Sequence, residues 1–244
     1  MLPDRRPRAR TAEVVVGIAG HGLDGCRSAV RLGAEEARLR RLGLRLVHGS
    51  RPAGQEDHLA PSGMEWRQQR GRRLVGGAAR DLAVTALGRD LAIWTESSPR
   101  TAVDLLTTHA RTAVLLVLQR PDGPDDPVGL TIDAVSASAW CPTLVVRSRD
   151  RAGAGVGVLV VLDPGHDAGP ALVLGATEAR LRGTAVTVLD GRECSVADLE
   201  AASDGAALMV VVRPGRGAHG PVVDAIDVAR CPVLTVAPDD DPGT

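Results

Sequence analysis

The chain has 244 residues, a formal net charge of −1, and 44% hydrophobic against 24% charged residues; it contains no Phe, no Tyr, and arginine as its only strongly basic residue. Its arginines are interspersed with nearly as many carboxylates, so no basic stripe exists to neutralise a phosphate backbone, and its longest apolar runs, such as Val156 to Leu162, are strand-length rather than membrane-length. Neither nucleic acid nor a membrane is therefore expected as a partner, and the length predicts two small domains with Val, Leu, Ile and Ala cores.

The opening "MLPDRRPRART" carries charge with no apolar run behind it, which reads as a disordered basic N-terminus over residues 1–12 of a cytoplasmic protein. "VVVGIAGHG" (Val14 to Gly22) is a β-branched run closing on glycine, hence a buried strand and a tight turn. A helical stripe follows at Cys26, Ala29, Val30, Gly33, Ala34 and Ala37, with Glu36 and Arg40 forming an i,i+4 pair that is expected to lend weak support on the solvent face. A second strand, Leu44 to His48, completes a strand, helix, strand unit with a right-handed parallel crossover. Next come an amphipathic helix around Gly71 to Leu87, a strand from Leu91 to Thr95, a helix from Ser98 to His109, the strand "AVLLVLQRP" (Ala113 to Pro121), a last helix, and the strand "WCPTLVV" (Trp140 to Val146).

"RSRDRAGAGVG" (Arg147 to Gly157) is charged and then rich in Gly and Ala, the composition of a linker. Beyond it the sequence repeats itself. "VLVVLDPGH" (Val158 to His166) matches the first strand, and Ala168, Ala171, Leu172, Gly175, Ala176 and Ala179 match the stripe. "TEARLRGTAVTVLDG" (Thr177 to Gly191) echoes "EEARLRRLGLRLVHG" (Glu35 to Gly49), with Glu178 and Arg182 as its ion pair and Ala185 to Leu189 as its strand. "AALMVVVRP" (Ala206 to Pro214) parallels the first half's "AVLLVLQRP", and "RCPVLTV" (Arg230 to Val236) parallels its final strand. Between these anchors the second half offers only a helix at Ser195 to Ala202, so it is a trimmed copy lacking one helix and one strand. The expected organisation is a domain over 13–147, a linker over 148–156, a shortened domain over 157–237 and an acidic tail over 238–244. The small residues of both stripes let each helix lie close on its sheet.

Candidate chemistry is sparse. Cys26, Cys141, Cys194 and Cys231 form no C-x-x-C pair and have no histidine at ligand spacing, so neither zinc nor a disulfide framework is expected. Cys141 and Cys231 each precede proline, one buried position sampled twice. His21, His48, His58, His109, His166 and His219 are scattered, although His166, Asp163 and His219 meet at one sheet edge if ligands bind outside the carboxyl ends of the strands. "GHGLDG" (Gly20 to Gly25) satisfies G-x-G-x-x-G between a strand and a helix, the context of a dinucleotide fingerprint. The ribose-binding acid that the fingerprint needs is missing, since His48, Gly49 and Ser50 end the second strand and only Arg51 could meet a 2′-phosphate. An NAD(P)-binding oxidoreductase is thus an alternative reading, and a glycine turn is the simpler one. No G-x-S-x-G elbow and no Walker phosphate loop is present.

The order of parts resembles the universal stress protein family in its tandem type. "VVVGIAG", "VLVVLDPG", the twice-used "EARLR" phrase and the paired Cys-Pro segments before an apolar last strand carry the resemblance. It implies two Rossmann-like (adenine nucleotide alpha hydrolase-like) open parallel-sheet domains in tandem, the second abbreviated. It also implies that the last strands, Thr143 to Val146 and Leu234 to Val236, pair in an intramolecular pseudo-dimer, with a further homodimer and an unidentified protein partner as expectations. ATP-binding members carry an aspartate ending the first strand and a G-x-x-G loop after the fourth strand, where bare amides and a helix N-terminus hold phosphates. Here Ala19 stands in place of that aspartate, Gln119 replaces the first glycine, Asp122, Asp125 and Asp126 add negative charge, and Leu130 follows Gly129 where a hydroxyl residue belongs. The first half is therefore expected to lack the site. The second half keeps Asp163 and the loop "RPGRGAHG", making Asp163, Gly215, Gly217 and Gly220 the nucleotide-binding candidates beside Arg213 and Arg216. Val212 and Pro221 depart from the pattern, and proline has no N–H to give. The bland reading is a glycine turn next to an aspartate that caps the following helix. The resemblance implies a non-catalytic stress-response or regulatory protein with no cofactor in the first half; ATP is the one ligand the second half suggests, and a nucleotide-dependent switch there is the alternative.

Overall fold

The computed structural model describes residues 12–19, 24–51, 61–121, 127–147, 155–163, 165–212 and 228–238. The first half runs β1 (Glu13–Gly17), a 3-10 turn (Asp24–Cys26), α1 (Arg27–Arg40), β2 (Gly43–Arg51), α2 (Pro61–Ala83), β3 (Ile93–Thr101), α3 (Ala102–Ala110), β4 (Leu115–Arg120), α4 (Pro127–Ser138) and β5 (Thr143–Arg147). The second runs β6 (Val158–Leu162), α5 (Gly169–Arg182), β7 (Val186–Asp190), α6 (Val196–Asp204), β8 (Leu208–Val212) and β9 (Val233–Val236).

These strands form one open sheet in the order β3-β2-β1-β4-β5-β9-β8-β6-β7. All neighbours are parallel except β5 and β9, which pair antiparallel and join the halves. The buried strands are continuous Val and Leu runs, as parallel strands covered on both faces require. The register at the seam is symmetric. Leu144 opposes Leu234, the residue in its own place in the other copy, while Thr143 opposes Thr235 and Val145 opposes Val233.

The copies agree in detail. A Cβ at Gly33 would run into the γ-methyl of Val16, and one at Gly175 would meet Val160 in the same way, so both helices lie close on their strands. Both helices also end in a left-handed residue, Arg41 at φ 56° after α1 and Gly183 at φ 64° after α5. Cys141 and Cys231 are buried just before β5 and β9.

Three expectations are corrected. α2 begins at Pro61 rather than near Gly71, because Met64 and Trp66 in its opening turns face solvent and contribute nothing to the apolar stripe; proline suits a first helical position. β3 continues to Thr101, through the stretch read as helical from Ser98. Pro99 is tolerated because β3 is an edge strand, and α3 starts only where the Thr101 hydroxyl accepts the Asp104 N–H at 3.1 Å.

The third correction concerns the Glu–Arg pairs. They do not lie on a solvent face. α1 and α5 meet across the seam, where Arg40 donates to Glu36 and Glu178, and Arg182 donates to Glu178 and Glu36. Glu36 and Glu178 are each 3% exposed. Each i,i+4 pair is thus half of a closed four-residue ring, a contact that sequence spacing within one helix cannot reveal.

Candidate functional site

In an open α/β sheet the ligand crevice lies outside the carboxyl ends of the strands, where the strand order reverses. The order places that point between β1 and β4 in the first half and between β6 and β8 in the second.

In the first half a cavity of about 120 Å³ opens there, lined by Ile18, Ala19, Cys26, His48, Leu106 and Gln119, among others. That is well below the roughly 300–1,000 Å³ of sites that enclose drug-sized ligands. Ala19 offers no side-chain acceptor; its own N–H is taken by the Cys26 sulfur at 3.1 Å. Burial raises the Cys26 thiol pKa, with the backbone contact to Ala19 opposing it, so the sulfur stays protonated. Gln119 is buried, and its Oε1 accepts the Ala29 N–H at 3.1 Å. This is one of the free amides at the start of α1 that an anion could otherwise use. In the second half of β2, which runs on to Arg51, buried His48 donates from Nδ1 to the Ile18 carbonyl at 2.8 Å. An imidazole committed to the backbone thus stands at the position a dinucleotide's ribose would need acidic. Gly20 and the rest of that fingerprint's opening turn, 20–23, lie outside the described residues.

In the second half Asp163 follows β6 at the position Ala19 holds after β1. Its Oδ1 accepts the Gly165 N–H at 2.9 Å, and its Oδ2 accepts from His166 Nδ1 at 2.9 Å. Asp163 therefore organises its own turn. The expected helix cap is not made: the N-cap of α5 is Ala168, without a side-chain cap, and Asp167 just before it accepts the Gly169 N–H at 3.0 Å in a local turn. Sequence spacing brought Asp163 and His166 together correctly; Gly215, Gly217, Gly220 and His219 lie outside the described residues, as do Asp122, Asp125 and Asp126.

A larger cleft, about 470 Å³, lies at the opposite end of the sheet beside the ion ring, lined by Glu35, Glu36, Arg182, Gly157 and Pro232, among others. No sequence signal pointed to it, since its walls come from both halves. Burial raises the Glu35 pKa, opposed by Arg31 at 3.0 Å. Among the described residues, no group of three or more His, Cys, Asp or Glu is arranged to hold a metal ion, and no described helix is long and apolar enough to cross a membrane.

Comparison with known proteins places this geometry. The chain superposes on a universal stress protein from Archaeoglobus fulgidus with a TM-score of 0.69, covering 95% of this chain and 98% of that one at 10% identity. It is 28% identical over 144 residues to universal stress proteins of two Mycobacterium tuberculosis strains, H37Rv and CDC 1551. The chain is related to the universal stress proteins. The curated match takes in 56% of this chain and 48% of each relative, so it spans about half the length of those proteins. A functionally unknown protein from Pseudomonas aeruginosa PAO1 shares the fold at a TM-score of 0.55 and 16% identity, with 94% of both chains covered. No family model matches the chain. The chain thus shares the α/β fold of these proteins, and its second half follows the element order of the first without counterparts of α2 and β3.

Proposed function

We propose that this is a non-catalytic stress-response or regulatory protein of universal stress protein type, with the family's nucleotide site lost in the first half and eroded in the second. In this reading residues 13–147 and 157–237 are two copies of one unit, docked as an intramolecular pseudo-dimer through β5 and β9. The observation that carries it is the first-half switch point. There Gln119 occupies an N-terminal amide of α1, Ala19 replaces the carboxylate, and only about 120 Å³ remains open. In the second half, both oxygens of Asp163 already serve Gly165 and His166.

The test is thermal unfolding of the full chain with millimolar ATP and magnesium, beside Asp163→Ala. A ligand at a hundred times its dissociation constant stabilises by about 2.7 kcal/mol, several degrees for domains of this size. The expected result is no ATP-dependent shift in either protein. A shift lost in Asp163→Ala would instead establish the second half as a nucleotide-dependent switch, and a shift retained in it would place binding elsewhere; either result overturns the proposal.

A further inference from the structure

The missing α2 and β3 leave a surface whose covered form is visible elsewhere in the same molecule. The strand registers make Val186 and Val188 of β7 the counterparts of Leu44 and Leu46 of β2. Leu44 and Leu46 are 0% exposed and share one apolar cluster with Val75, Ala78 and Leu82 of α2. Val186 and Val188 are 37% and 47% exposed. The neighbouring helix shows the same contrast. Ala34 of α1 is fully buried, whereas its counterpart Ala176 on α5 is exposed, as is Leu172 at the place of half-buried Val30.

An arginine indicates what covers such a face. Arg38, in the first "EARLR" phrase, donates to the carbonyls of Ala86 at 2.5 Å and Leu87 at 3.4 Å, just beyond the end of α2. Both carbonyls belong to the turn that follows α2, so Arg38 ties that turn, and with it the end of the covering helix, to α1. Arg180, its counterpart in the second phrase, is exposed and engages no acceptor among the described residues. β7 is also the sheet edge, where β2 has β3 as its neighbour.

We propose that the β7–α5 face docks an amphipathic helix of a partner protein, seated as α2 is on β2, its apolar side on Val186, Val188 and Leu172 and the carbonyls of the turn that follows it on Arg180. A second copy of this chain does not fit as well. Pairing two β7 edges adds strands but supplies no helix over Val186 and Val188, because each copy's α2 already lies on its own β2. Helix-in-groove recognition reads i, i+3, i+7 anchors, the spacing of Val75, Ala78 and Leu82. This inference does not depend on whether either half binds a nucleotide.

The probe is a fluorescein-labelled peptide with the sequence of residues 61–88, titrated by anisotropy into the full chain and into Val188→Asp and Arg180→Glu. Both substitutions are at exposed positions, and matching circular dichroism and unfolding midpoints confirm that the variants are folded. Saturable binding is expected, weakened at least about tenfold by Val188→Asp, several-fold by Arg180→Glu, and abolished by Val75→Asp with Leu82→Asp in the peptide. Absence of binding to the unmodified chain, or equal binding to Val188→Asp, overturns the proposal. So does sedimentation showing a homodimer that Val188→Asp dissolves, since a second copy would then be the occupant.

Discussion

β2 and β7 are the same strand placed in two settings. β2 lies between β1 and β3 beneath α2, and its Leu44 and Leu46 are core residues; β7 borders β6 alone, and its Val186 and Val188 face outward. The difference lies in one segment. α3 and α6 are equivalent nine-residue helices with matching starts, Thr101 with Asp104 and Ser195 with Asp198. The second half passes from β7 to α6 across five residues, where the first has α2 and β3 between β2 and α3. Without a counterpart of α2 and β3, β7 is more exposed than β2 yet remains a strand, because β6 and α5 still hold its inner side.

The sharpest way to break this comparison is to place the same charge in both strands. Leu46→Asp should cost more than about 4 kcal/mol, since it buries an unpaired carboxylate in the core, whereas Val188→Asp should stay within about 1 kcal/mol; urea unfolding of both variants measures the contrast. Next in size is the ion ring, which belongs to both copies equally. Glu178→Ala should cost up to about 3 kcal/mol, as removing it leaves the partly buried Arg40 and Arg182 sharing the single carboxylate of Glu36, and Glu36→Ala should cost about the same by the same measurement. Inequality between the two would show that the seam is less symmetric than its hydrogen bonds.

The helix ends sharpen the comparison further. Arg41→Gly should stabilise the protein by about 1 kcal/mol, because a side chain at φ 56° is strained and glycine is not. Gly183→Arg should lose a similar amount, read as opposite shifts in Tm. The smallest effect concerns Glu35, whose raised pKa means that the folded state holds its proton more tightly than the unfolded chain does. Its contribution is present at acidic pH and is lost as pH rises through the raised value. Glu35→Gln should thus gain on the native protein in thermal unfolding as pH rises from below the ordinary carboxylate range to neutrality.

Much of this fold is legible in the sequence because the information repeats. The stripe containing Gly33 and Gly175, the two Cys-Pro segments and the final strands each occur twice, so one copy checks the other. What was not legible depends on contacts between elements. Nothing in "EEARLR" says that Arg40 will reach Glu178 in the other copy, so the pairs read as solvent-facing support. Likewise Gln119 reads as a lost glycine, and only the three-dimensional structure places its oxygen on the Ala29 amide. Asp163 is legible as the end of a strand and His166 as its neighbour, yet the bond from the Gly165 N–H belongs to a local turn that strand periodicity does not describe. The opening turns of α2 were missed for the related reason that Met64 and Trp66 face solvent.

The antiparallel seam between β5 and β9 has a further consequence. Subunits that associate across such a seam from separate chains separate on dilution, but here a tether of about ten residues joins the partners, which places their local concentration on the order of millimolar. Their union is therefore indifferent to how much protein the cell makes. A second copy that never has to find its partner is free to lose parts that a free-standing monomer would need to fold.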